Sequence, residues 1–226
     1  DSFFSGYAFS GADFISGSKG AEAFQRNTGR KLPAGLDGCY LSIWKERDGH
    51  RVGVDHAGYK KIFFYNDGAV WGFSNSVSRL ADHLREKGVR LQPDPVQLRA
   101  LKIETTLTTQ LASFQTIVSG IVLLPSDYEI NISEGRATVE QRKAQRIDRY
   151  EDALEIFLEQ WVSRLETLIV DERVQVVCDL TGGKDSRLVF GLLSKAQERL
   201  GIANSSNCFV RSGTTARWEK DLVAAK

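Results

Sequence analysis

The stretch VQVVCDLTGGKDS, residues 174–186, constrains the fold more than any other in the chain. An apolar run from Val174 to Leu180 stops at Thr181-Gly182-Gly183. The following SRLVFGLLSKAQERLG places Leu188, Val189, Leu192, Leu193 and Ala196 at helical spacing. The predicted order is strand, glycine turn, helix. A helix N-terminus exposes N–H groups that lack intrahelical acceptors, together with the positive end of a dipole. Glycines just before it allow the backbone to form an anion-binding nest, for which phosphate is the usual guest. An acid in such a turn, Asp185, suits phosphate neutralised by Mg²⁺, because a carboxylate beside bare phosphate would repel it. The same residues also suit a tight strand-to-helix connection that binds nothing. Two familiar phosphate motifs are absent. GxxxxGK[ST] fails because Cys178 stands where its first glycine belongs and Asp185 follows Lys184. GxGxxG fails because Gly182 and Gly183 are adjacent.

Upstream the pattern changes. Residues 37–74 contain the turn signals Asp48-Gly49 and Asp67-Gly68 between β-rich runs, which predicts an antiparallel meander. VSRLADHLREKG predicts a short helix ending at Gly88, and DPVQLRALKIE a second one with Asp94 as cap and Pro95 in its first turn. GIVLLPSDYEINISEGRATVEQ returns to strands, turning at Glu134-Gly135. The charged run 142–152 is the expected boundary, giving units at 1–145 and 150–226. Beyond it Leu154, Leu158, Trp161, Leu165 and Leu168 share one helical face. Sheet-rich sequence thus precedes sequence in strand-then-helix order.

The 226 residues are 42% hydrophobic and 26% charged with net charge +1, a balance that argues against nucleic acid or an anionic membrane as the main partner. No apolar run reaches membrane-spanning length, and DSFFSGYAF lacks the features of a signal peptide. Cys39, Cys178 and Cys208 are scattered, as free thiols in a reducing compartment would be, so a cytoplasmic location is expected. His50, expected in a turn, His56 and His83 show no metal-ligand spacing. There is no methionine, from which Asp1 is expected not to be the native start.

LTGGKDS resembles the SGGxDS pyrophosphate loop of the ATP-pyrophosphatase superfamily, and its context resembles the asparagine synthetase family. LDGCYLSIWKERDGHRVGVDHAGYKKIFFY (36–65) is similar to the family's L-x-G-x-F-A-F…R-D-x-x-G-x-x-P-L-Y-Y stretch. WGFSNSVSRLADHL is similar to its F-A-S-E-x-K-A-L segment, and IVLLPSDYEINISEGRATVEQR to its L-P-P-G…G…Y segment. These segments run in order over most of residues 36–190.

The resemblance implies an α+β N-terminal domain of antiparallel β-sheets with flanking helices, like the N-terminal-nucleophile hydrolases. It implies that this domain is followed by the start of an α/β ATP-pyrophosphatase domain, not complete by Lys226. The implied activity is ATP-dependent amide-bond formation: a carboxylate, on a small molecule or a peptide, is adenylated with release of pyrophosphate, and an amine then displaces AMP. ATP and Mg²⁺ are the implied nucleotide and metal, and a homodimer is compatible. Thr181, Gly182, Gly183, Asp185 and Ser186 would hold the pyrophosphate, Asp185 also the metal, and Phe209 and Val210 the adenine; Leu180 and Lys184 belong to the same nucleotide-binding stretch, Lys184 either touching phosphate or lying at the surface. Glu219 and Asp221 would lie near the acyl substrate or on a solvated helix face.

The chain also departs from the family. Thr181 replaces a serine, Val54 an arginine and Lys61 a proline. The family's glutaminase nucleophile is an N-terminal cysteine acting with its own α-amine as base. Here no cysteine precedes Cys39, and Ser5 in FSGYAF stands where the family's oxyanion stretch has asparagine. Either that segment lies outside this chain or the glutaminase half is inactive, as in β-lactam synthetase and lasso-peptide cyclases; no glutamine hydrolysis by this chain is expected. A degenerate, non-catalytic nucleotide-binding or regulatory protein on the same scaffold is the alternative.

Overall fold

Alternation of apolar and polar residues commits the first half of the chain to sheets. The computed structural model describes residues 2–102, 113–143, 147–181, 183–202 and 206–212. Gly182, the middle of the expected boundary (144–146), and the C-terminal residues 213–226 with Glu219 and Asp221 lie outside the described residues. In chain order the elements are β1 (Phe3–Ser10), β2 (Asp13–Ser16), α1 (Gly17–Thr28), β3 (Gly38–Glu46), β4 (Gly49–Val54), β5 (Phe63–Asn66) and β6 (Trp71–Ser74). They continue with α2 (Val77–Glu86), α3 (Pro95–Ala100), β7 (Val122–Leu123), β8 (Tyr128–Ser133), β9 (Arg136–Gln141), α4 (Tyr150–Val170), β10 (Val176–Asp179), α5 (Lys184–Leu200) and β11 (Cys208–Arg211). The protein is mixed α and β, with antiparallel sheets and flanking helices. It divides into two units, residues 1–8 with 15–144 and residues 9–14 with 145–226. Six residues of the first hairpin thus belong to the second unit, which the linear division of the sequence does not anticipate.

A six-stranded sheet has the order β2-β1-β3-β4-β8-β9, and a three-stranded sheet the order β6-β5-β7. In β3 the two-residue period sends Tyr40 and Trp44 to one face, where they pack with Phe4, Ala8, Ile15 and Ala21 of α1. Leu41 and Ile43 point the other way, and with Val52, Val54 and Ile130 they meet Phe64, Phe73 and Val122 of the smaller sheet. The opposite side of that sheet, Phe63 and Tyr65, packs against Leu80 and Leu84 of α2. The first unit is therefore layered as helix, sheet, sheet, helix.

Both xDG signals fall at hairpin turns, joining β3 to β4 and β5 to β6. The residues between them do not form one meander, however. β4 pairs with β3 and β8, whereas β5 pairs with β6 and β7. The change of sheet happens at Asp55, which is 0% exposed. Its carboxylate accepts N–H bonds from Tyr59 and Lys60, each at 2.9 Å, and from Tyr40 at 3.4 Å. Those bonds turn the chain away from β4. His50 is in β4 and not in a turn. The two short helices start as the sequence predicts: Asp94 caps α3 by accepting from Val96 and Gln97 N–H, and Ser76 caps α2.

In the second unit, α4 and α5 pack with β10 through Val162, Ile169, Cys178, Leu192, Leu193 and Ala196. Trp161 and Leu165 join this core, while Leu154 and Leu158, on the same helical face, are exposed. Leu188 and Val189 of α5, at the same helical spacing as Leu192, Leu193 and Ala196, are each 49% exposed. Helical spacing marks the stripe, but Leu158 of α4 and Leu188 of α5 line an open groove of about 810 Å³. Among the described residues of this unit the most buried polar side chain is Arg164, 2% exposed. Its Nε donates to the Gly11 carbonyl at 3.1 Å, and its guanidinium lies 4.7 Å from the Trp161 ring and 5.2 Å from that of Phe9. Among the described residues no helix is long and apolar enough to cross a membrane.

Two outcomes follow from the first unit. Gly6 in β1 has φ +110°, and a Cβ there would stand 2.0 Å from the Cys39 carbonyl oxygen on the paired strand. Gly6→Ala should therefore lose about 3 kcal/mol in urea unfolding, through strain and a displaced strand. Burial pushes the Tyr40 phenol up to about 12. An unfolded tyrosine titrates near 10, so the neutral phenol's contribution to stability is complete below about pH 10 and is lost as pH rises towards 12. In a spectrophotometric titration Tyr40→Phe should remove one late-titrating phenol and leave the earlier ones unchanged.

Candidate functional site

β10 and β11 run parallel with the register Val176↔Cys208, Val177↔Phe209, Cys178↔Val210 and Asp179↔Arg211. Alternation makes Cys178 a buried core residue and exposes Val177 and Asp179. Burial, and then the neighbouring Asp179 carboxylate, push the Cys178 thiol up, in keeping with its place in the core. The Leu180 N–H donates to the Arg211 carbonyl at 2.8 Å, extending the pairing by one step, and Leu180 itself is buried. The chain then leaves the sheet at its carboxyl edge, where ligands of α/β sheets commonly bind.

The connection from Thr181 to Ser186 is closed by two hydroxyls. Thr181 Oγ1 lies 2.9 Å from Ser186 Oγ and accepts the Gly183 N–H at 3.2 Å. Ser186 Oγ accepts the Thr181 N–H at 3.1 Å and is within hydrogen-bond reach of the Thr181 carbonyl, also at 3.1 Å. This lock keeps the turn tight at the start of α5. Gly183 is the N-cap residue and supplies no side-chain cap; its φ of −74° suits any residue. A Cβ there would lie 3.3 Å from Thr181 Oγ1, so glycine serves here to leave room within the turn.

Lys184, Asp185 and Arg187 are exposed around the turn, and Ser186 is half-buried. Arg187 Nε donates to the Gly183 carbonyl at 3.2 Å, which ties the second turn of the helix back to the loop. Asp185 sits in the first turn of α5, and its carboxylate has no hydrogen-bond or ion-pair partner among the described residues. Val210 and Phe209 lie on the adjacent strand and are exposed. Of the residues singled out in the sequence, Leu180, Thr181, Gly183, Lys184, Asp185 and Ser186 are therefore contiguous at one sheet edge, with Val210 beside them.

One feature escapes a reading of the sequence. Arg211, next to the loop on β11, forms a bidentate ion pair with Asp179: Nη2 lies 3.0 Å from Oδ2, and Nε donates to Oδ1. The pair holds the Asp179 carboxyl below its ordinary range. Residues 32 positions apart meet here only because the strands are parallel and in this register. Among the described residues no group of three or more His, Cys, Asp or Glu side chains is placed to hold a metal ion.

Thr181→Val keeps the side chain's shape and deletes the hydroxyl lock. It should lower global stability by about 1 kcal/mol. Amide exchange at Gly183 and Thr181 should rise much more than exchange in the β10 core. Comparison of the chain with protein-family models and with curated proteins gives no match.

Proposed function

We propose that this chain belongs to an asparagine synthetase-like, ATP-dependent amide-forming enzyme. The observation that carries the reading is the Thr181–Ser186 turn at the carboxyl edge of a parallel strand pair. Its hydroxyls lock the backbone, while Asp185 stands uncommitted in the first turn of α5. The helix–sheet–sheet–helix layering of the first unit supports the family's N-terminal-nucleophile-hydrolase-like domain, and β10, α5 and β11 would begin its ATP-pyrophosphatase domain.

In this reading the amide groups at the start of α5 and the Thr181 and Ser186 hydroxyls bind the β- and γ-phosphates, which depart together as pyrophosphate. Exposed Lys184 and Arg187 add positive charge around the same turn. Val210 and Phe209 offer an apolar surface to the adenine. Asp185 would hold Mg²⁺ together with phosphate oxygens, and the ion would neutralise the polyphosphate charge. A lone carboxylate fits that ion, which commonly takes one or two protein carboxylates and fills its remaining positions with phosphate and water. The acid that becomes adenylated is a small-molecule or peptide carboxylate, and a cytoplasmic location fits the free thiols.

Asp185→Asn preserves size and a carbonyl acceptor but removes the charge. ATP–pyrophosphate exchange by the native full-length protein should fall on the order of a hundredfold, while the melting temperature without nucleotide stays nearly constant. Exchange persisting near the wild-type rate would overturn the nucleotide role of the turn.

A further inference from the structure

The first unit contains a cavity of about 280 Å³ whose chemistry is unrelated to the phosphate turn. Phe3 of β1, Leu41 of β3 and Phe73 of β6 give it an apolar lining. Ser5 of β1, the partner of Leu41 in the strand register, lines it together with Ser74 and Asn75. Ser74 Oγ accepts the Ser76 N–H at 3.1 Å, which leaves its own proton to donate. Lys60 and Lys61 complete the wall.

The two lysines are not an accidental pair on a loose loop. The Lys60 N–H donates to the fully buried Asp55 carboxylate. On the other side Ile62 is fully buried, and its carbonyl accepts the Leu124 N–H at 2.8 Å. The backbone carrying both ammonium groups is thus clamped at each end. Among the described residues neither ammonium has an ion-pair partner, whereas Lys31 and Lys195 pair with Glu46 and Glu198. Two adjacent exposed lysines on a clamped backbone, beside the apolar Leu41 and Phe73, suit an anion that also has an apolar stem.

We propose that this cavity binds a small aliphatic dicarboxylate. One or both carboxylates pair with Lys60 and Lys61, the Ser74 hydroxyl and the Asn75 amide donate to carboxylate oxygens, and the stem lies on Leu41 and Phe73. A small dicarboxylate suits a volume of about 280 Å³, and a bare inorganic anion would leave Leu41 and Phe73 uncovered. The site is independent of the nucleotide reading of the second unit and stands or falls on its own.

The test is a titration of the full chain with succinate at low ionic strength, followed by calorimetry and by amide shifts of residues 59–61 and 74–75. Wild-type protein should saturate. Lys60→Gln and Lys61→Gln, which keep the backbone bond to Asp55, should each weaken binding about tenfold. Lys19→Gln, an exposed lysine on α1, should leave it unchanged. Added salt should weaken binding, and succinamide should not bind. Failure of wild type to saturate, equal weakening by Lys19→Gln, or inorganic phosphate binding as tightly as succinate would overturn the proposal. ATP binding and pyrophosphate exchange should be the same in all of these variants.

Discussion

Burying a carboxylate costs several kcal/mol unless its charge is met, and the first unit depends on how Asp55 meets that cost. Here the charge is met by backbone N–H groups: Tyr40 on β3, and Tyr59 and Lys60 on the loop that follows. Asp55 also donates its own N–H to the Tyr40 carbonyl, and the His56 N–H reaches the Leu36 carbonyl. One side chain therefore ends β4, turns the chain out of the larger sheet and starts it towards the smaller one. Without that turn the alternating pattern of residues 63–74 would suit another strand on the same sheet. With it, Phe64 and Phe73 face Val52, Val54 and Ile130 across the space between two sheets.

The sequence makes the local elements legible because their causes are local. Two xDG turns, an Asp-Pro helix start and a strand-to-helix glycine turn each depend on residues a few positions apart, and each lies where it is expected. Sheet membership is different. Whether β5 follows β4 in one sheet is decided by a buried carboxylate accepting from three backbone positions, and hydrophobic period carries no trace of it. The helix faces show the same limit. Period places Leu188 and Leu192 on one stripe of α5, but burial of Leu192 comes from α4 and β10, while Leu188 faces an open groove.

The candidate site divides along the same line. Thr181 to Ser186 are neighbours in sequence, so residue types alone suggest a turn with hydroxyls, glycines and an acid. The structure adds the hydrogen bonds among Thr181, Gly183 and Ser186. Arg211 could not be placed there from its sequence position, since only the parallel register of β10 and β11 brings its guanidinium to Asp179.

That ion pair bears on the proposed chemistry. A polyphosphate approaching this edge would meet two carboxylates, Asp179 and Asp185. Two uncompensated acids would repel it at any distance within the screening length. Arg211 cancels the first charge through a bidentate fork, whose two bonds fix the guanidinium as well as neutralise the acid. Asp185 has no such partner, so a cation that arrives with the phosphates finds one free carboxylate and not two. The division of labour follows from which acid is a neighbour of Arg211 across the sheet. It makes Asp179 a structural charge at the edge of the site, and it leaves Asp185 as the residue at which the proposed nucleotide reading is decided.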